Sequence, residues 1–140
     1  FVADAIIKKL ILANKVVRQA KVVILGIAFK ENTPDTRNSK VVDIIDSLRD
    51  YGIEPIVEDP EADADEAKHE YGVELTDIKE VEGADCLVLA VAHDTFKQMS
   101  WNDIDALYGD FDNKERVLID VKSILDRKAI EGKGYSYWRL

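Results

Sequence analysis

Lys30, Asp35 and Arg37 stand close together in a polar stretch that begins where the apolar run Val22 to Leu25 ends on Gly26. Ammonium and guanidinium groups make charge-assisted hydrogen bonds to phosphate oxygens, so a basic pair at this place suits a phosphate-bearing ligand. A second apolar run, RVLIDV (116–121), delivers Lys122 at its end. If both runs are parallel strands of one sheet, Lys30, Arg37 and Lys122 are expected around one crevice at its carboxyl edge, where open α/β sheets bind ligands. Spacing alone leaves other readings open. Arg37 is equally a local ion-pair partner for Asp35, Lys122 a helix-start lysine beside Asp120 or Asp126, and Lys30 a solvated loop lysine.

The loop is not a common nucleotide fingerprint. Gly26 is the only glycine between Val22 and Lys40, so neither G-x-G-x-x-G nor G-x-x-x-x-G-K-[ST] is present. Side chains must therefore do the anion binding. Asn38 or Ser39 is expected to cap the next helix, whose first amides would face the ligand. Thr33-Pro34 stiffens the loop between the charges.

The elements that must position these groups follow from periodicity. The spacing predicts helices over residues 2–13 and 39–51, the second with Val42, Ile44, Ile45 and Leu48 on one face and Gly52 as its stop. Strands are expected at Lys21 to Leu25, at IEPIV (53–57) before Asp59-Pro60, and at CLVLAV (86–91), the most continuous apolar run and so the central strand. An acidic helix from Ala62 to Tyr71 ends at Gly72. A short strand VEL and a short helix in TDIKEVEGA, capped by Thr76 or Asp77, precede the central strand. DTFKQM and WNDIDALYG form two short helical pieces. Strands alternating with helices predict an α/β fold, a Rossmann-like doubly wound parallel sheet.

His93, just past a strand end and without a visible partner, receives no acid–base role. Cys86 lies mid-strand among apolar neighbours that raise a thiol pKa, which makes it a poor nucleophile. Tyr135, Tyr137 and Trp138 are read as a terminal aromatic cluster closing over the sheet. No metal site is read from the sequence.

A chain of 140 residues with a net charge of −9 has room for one domain, and its charge argues against a duplex-binding surface. One cysteine permits no internal disulfide, and no apolar stretch reaches the ~18 residues of a membrane span, so a cytoplasmic protein is expected. Phe1 already lies inside a helical pattern, as though the chain were cut from something longer. A freestanding nucleotide-binding or interaction module without catalysis is the alternative.

GIAFKENTPDTRNSK (26–40), with its aromatic-Lys pair, Thr, Asp-x-Arg and helix-start Ser, resembles the opening of the C-terminal, nucleotide-sugar-binding domain of the UDP-glucose/GDP-mannose dehydrogenase family. The resemblance continues through Asp59-Pro60, VLAVAHDTF (88–96) and LIDVKSILDR (118–127) to the ending YWRL (137–140), which is similar to members oxidising UDP-N-acetylhexosamines. It implies that Phe29 and Lys30 hold a UDP-sugar, that Lys122 joins them where the best-known members carry arginine, and that Arg37 reaches toward NAD bound mainly by an N-terminal half. It further implies that residues 1–20 are the end of a long linker and dimerisation helix, and that residues 21–140 are the UDP-sugar-binding domain of a homodimeric oxidoreductase. That enzyme would make a C6 carboxylate for surface polysaccharide synthesis. The catalytic cysteine and lysine lie in motifs absent here, so this chain alone is expected to be inactive.

Overall fold

The structure, a computed structural model, describes residues 1–140. Five strands, β1 (Val22–Leu25), β2 (Ile56–Glu58), β3 (Cys86–Leu89), β4 (Val117–Asp120) and β5 (Ser136–Arg139), pair in parallel in the order β2-β1-β3-β4-β5. Successive side chains of a strand face opposite sides, so each of the three inner strands must be apolar throughout to serve two cores. Val22 and Ile24 of β1, Val88 of β3 and Ile119 of β4 pack on one face against Ile6 and Leu10 of α1 (Val2–Leu12) and Ile45 and Leu48 of α2 (Val41–Asp50). Val23, Leu25, Leu87 and Leu118 pack on the other face. There they meet Phe96 of α4 (Asp94–Lys97), Ile104 and Leu107 of α5 (Trp101–Leu107) and Ile130 of α6 (Arg127–Lys133). The doubly wound parallel fold read from the sequence is the one observed.

Several boundaries differ, each for a local reason. The helix expected from Ser39 begins at Val41, because Asn38 takes a left-handed conformation with φ of 59° and Ser39 turns inward, its Oγ accepting the Val41 N–H at 3.2 Å. Its buried face is Val41, Ile45 and Leu48, with Val42 and Ile44 only partly covered. The stop at Gly52 holds, with φ of 82°. The second strand is shifted to Ile56–Glu58. VEL reduces to a single bridge between Leu75 and Val57, and TDIKEVEGA to one 3₁₀ turn, Ile78–Glu80, started by the Asp77 carboxylate.

The acidic helix, α3 (Ala64–Tyr71), is capped by Asp63, which accepts the Glu66 N–H at 3.0 Å. α5 starts in a reciprocal box in which Ser100 and Asp103 each bond the other's amide. The aromatic ending is itself the fifth strand. Tyr137 and Trp138 lie on β5, while Tyr135 is buried against Tyr108 and Trp101 at ring separations of 5.8 and 5.9 Å. α6, between Asp126 and Gly134, was not anticipated although both of its caps stand in the sequence.

Candidate functional site

The chain leaves β1 for β2 on one side and β3 for β4 on the other, so β1 and β3 flank a topological switch point where loops diverge and a crevice opens. The divergence requires a close crossing. Gly26 has φ of 106°, and a Cβ placed on it would stand 2.6 Å from the Cβ of Val91, so only glycine fits between the two strand exits.

Just after Gly26 the backbone amides of Ile27 and Ala28 point at one acceptor, Oδ2 of Asp59, at 2.8 and 2.9 Å. These are the amides that a dinucleotide-binding loop would aim at a pyrophosphate. Oδ1 of Asp59 accepts from Glu61 and Ala62 at 2.8 and 2.9 Å, and His93 Nε2 lies 3.0 Å from Oδ2. Burial by itself raises the Asp59 carboxyl, but the His93 bond and the amides of Ile27, Ala28 and Glu61 outweigh it and hold the group down at about 2. A carboxylate of the chain thus fills the place of a phosphate. A dinucleotide pyrophosphate does not fit at this strand exit, which agrees with the missing glycines.

Above this brace lies a cavity of about 540 Å³, within the size range of small-ligand sites. Ala28, Phe29 and Lys30 line it from the β1 loop, Val91 and Ala92 from the β3 exit, Val121 and Lys122 from the β4 exit. Lys40, Val41 and Ile44 close it from the start of α2, and Phe1 and Leu140 from the two termini. Phe29, Lys30 and Lys122, residues singled out from the sequence, therefore share one apolar crevice. Phe29 is 52% exposed there, an aromatic face with no cover. None of Lys30, Lys40 and Lys122 forms an ion pair, as is true of most lysines in this chain, and Glu31 and Asp43 line the same cavity.

Arg37, expected in the same crevice, does not line it. Its guanidinium forks onto Asp35, with Nε at 3.0 Å from Oδ1 and Nη2 at 3.1 Å from Oδ2. Both side chains are substantially exposed, and Asp35 is held below its usual range by the Arg37 bonds. The neighbouring Thr36 is buried and gives its N–H and its hydroxyl to Glu66 at 2.7 Å each, so α3 fixes the turn that presents Arg37.

Lys122 follows Asp120, which is fully buried and accepts the amides of Ile124 and Leu125 at 3.1 and 2.9 Å. Asp59, His93, Asp120 and Lys40 escaped the sequence reading as parts of the site. Asp59-Pro60 reads from the sequence as a strand end and a point of family resemblance, and a strand-terminal Asp before a loop is the available signal. Glu58, also buried, has an Oε2 without a partner, and burial together with the nearby Asp59 pushes its carboxyl up to about 7. Cys86 is buried and burial pushes its thiol well up, so it is no nucleophile. No His, Cys, Asp and Glu cluster is arranged for a metal, and no helix is long and apolar enough to cross a membrane.

Known proteins bear on this geometry. Residues 23–127 match the UDP-glucose/GDP-mannose dehydrogenase family, UDP binding domain. The chain is 39% identical over 126 residues to a UDP-N-acetyl-D-glucosamine 6-dehydrogenase of Pseudomonas aeruginosa, which covers 90% of this chain and 29% of that protein. A UDP-N-acetyl-D-mannosamine dehydrogenase of Methanocaldococcus jannaschii is 32% identical over 121 residues, covering 86% of this chain and 26% of its own length. Among solved structures, the UDP-D-ManNAc dehydrogenase of Pyrococcus horikoshii superposes with a TM-score of 0.77 at 27% identity, over 99% of this chain and 29% of that one. The chain spans less than a third of each of these relatives. With the family match running from β1 through the start of α6 and the whole sheet superposing, this chain belongs to the UDP-glucose/GDP-mannose dehydrogenase family and corresponds to its UDP-binding domain.

Proposed function

We propose that the crevice between the β1 and β4 loops receives the UDP moiety of a UDP-N-acetylhexosamine, with Phe29 against the ligand and Lys30 and Lys122 on its diphosphate. The observation that carries this reading is the convergence of Lys30, Lys40 and Lys122 on one largely apolar crevice, where they outnumber the lining carboxylates Glu31 and Asp43 in a chain with 28 carboxylates against 19 basic side chains. Where acids are in such excess, a lysine without a carboxylate partner is available to an anion from outside. Lysine offers a point charge rather than a planar fork, so two lysines on neighbouring phosphates replace one bidentate arginine.

In this reading the complete enzyme oxidises the C6 hydroxyl of the sugar to a carboxylate with NAD, for surface polysaccharide synthesis. NAD is held mainly by another domain, because the amides after β1 are already taken by Asp59. Arg37, exposed on a rigid turn, is the cation offered to that cofactor. Helix α1 is the end of the helix linking the two halves and pairing subunits, and its exposed Ile11 and Leu12 suit such a role. With a nucleotide-sugar substrate and one buried free cysteine, the working compartment is the cytoplasm.

The test is calorimetric titration of the protein with UDP, alongside chemical-shift mapping. Binding that perturbs Phe29, Lys30 and Lys122, and that is lost in the Lys30→Ala/Lys122→Ala double variant, is expected. Shifts confined to residues away from this crevice would overturn the site.

A further inference from the structure

His93 follows β3, is fully buried, and is engaged at both ring nitrogens. Nε2 faces the Asp59 carboxylate, 2.9 Å from Oδ1, and Nδ1 accepts the backbone N–H of Asn32 at 2.9 Å. Because Nδ1 is an acceptor, the ring proton belongs on Nε2, pointing at Asp59. Asn32 sits in a left-handed conformation with φ of 60°, and its own Oδ1 accepts the Asp94 N–H at 3.0 Å. Asparagine is the non-glycine residue that takes this shape most readily, and here contacts on both its backbone and its side chain hold it there. Those contacts come from the exit of β3, and the residue they fix stands two positions beyond Lys30.

We propose that His93 is a positioning residue for the Phe29–Lys30 arm, and that ligand binding in the crevice is coupled to the protonation of its ring. The inference rests on the diphosphate reading above. A second proton would have to sit on Nδ1, directly opposite the Asn32 N–H, so that two donors face each other. The arm then has to leave the ring, and Phe29 and Lys30 leave the crevice wall with it.

The charged groups around the ring come from three sides. The β2 end contributes ionised Asp59 and Glu58, the latter also acted on by Asp77. The start of α4 contributes Asp94, and the arm itself contributes exposed Lys30 and Glu31.

The experiment is binding of UDP-N-acetylglucosamine by calorimetry as a function of pH. Its diphosphate is a diester with no ionisation of its own near neutrality, so the titration reports the protein. For the wild type, affinity is expected to fall by about tenfold on acidification, as a second ring proton displaces the Asn32 N–H from Nδ1. His93→Asn keeps an oxygen where Nδ1 was, and is expected to retain affinity with no pH dependence, although Asp59 loses its partner and the protein is less stable. His93→Gln reaches Asp59 but leaves Asn32 without its acceptor, and is expected to bind about tenfold more weakly than His93→Asn.

Affinities that simply follow the thermal midpoints of the variants would overturn positioning, as would equal pH slopes in wild type and His93→Asn. A wild type that binds with pH-independent affinity overturns the coupling alone. One that binds at no pH overturns the diphosphate reading as well. A measurement without variants guards against poor folding of buried substitutions. In the ligand-free wild type, the Asn32 amide resonance should move with the imidazole titration, and an Asn32 resonance that stays still would overturn the proposal.

Discussion

Lys30 reaches the crevice on an arm that is held from elsewhere in the chain, whereas Lys122 reaches it on a loop held largely by its own strand. The amides of Ile27 and Ala28 and the amide of Asn32 find their acceptors 31 to 61 residues away, on Asp59 and His93. The amides of Ile124 and Leu125 find theirs four and five residues back, on Asp120, while the distant contacts are the Val121 N–H on Leu89 O at 3.1 Å and Arg139 of β5, which bonds Leu125 O at 2.9 Å and lies 3.8 Å from Asp120. The first arrangement needs three strands in register before the arm has a shape. The second is set once β4 ends. The β1 arm is therefore the more vulnerable of the two, and the one that can respond to its surroundings.

The largest effect expected from breaking this contrast is at Asp59. Asp59→Ala would leave the buried amides of Ile27 and Ala28 and the His93 Nε2–H without an acceptor, along with the part-buried amides of Glu61 and Ala62, and should cost about 3–5 kcal/mol in chemical denaturation. The wild type should show part of the same loss in acid. Asp59 is held near 2 against an ordinary 3.8, so its contribution is present above pH 4 and disappears as pH falls toward 2. That shift corresponds to about 2 kcal/mol. An acid-unfolding profile flat across this window would contradict the brace.

Glu58→Gln sharpens the comparison in the opposite direction, since the β1 side carries a carboxyl that charging makes costly. Its pKa is raised from 4.5 to about 7, so its stabilising contribution is complete below pH 4.5 and is lost as pH rises through 7. A neutral amide avoids that loss. The variant should gain about 3 kcal/mol at pH 8 and almost nothing at pH 4, as read from denaturation midpoints at the two pH values.

At the β4 loop, Asp120→Ala removes the acceptor of two amides and a looser ion-pair partner, 3.8 Å from Arg139 Nη2, and should cost about 2–3 kcal/mol. If it costs as much as Asp59→Ala, the two loops are not braced differently. The ligand side is expected to be smaller still. Lys30→Ala and Lys122→Ala each lose a charge-assisted contact, about 1.5 kcal/mol of UDP affinity by calorimetry, while Arg37→Ala should leave UDP affinity unchanged because its guanidinium lies outside the crevice.

The share of this arrangement legible in the sequence follows the same division. The apolar runs of β1, β3 and β4 announced themselves, because a strand buried on both faces has no polar position to confuse the pattern. Lys30 and Lys122 could be placed at one sheet edge because both follow such runs. β5 could not be read as a strand, since an edge strand that is half-buried along its length, with Arg139 beside Tyr137 and Trp138, alternates too weakly. Arg37 could be located on the loop but not on a side of it, because the choice depends on Glu66 and Tyr71 of α3 gripping Thr36.

The sequence by itself determined the parallel doubly wound sheet, the absence of a glycine-rich pyrophosphate cradle, and the cations at the strand exits, since these depend on residue type and local spacing. Tertiary structure alone decided that Asp59 takes the place of a phosphate, that His93 joins Asp59 to Asn32, and that Lys30 and Lys122 share a crevice from which Arg37 is excluded. Each of those outcomes depends on hydrogen bonds between residues tens of positions apart, and only the completed sheet brings their donors and acceptors within reach.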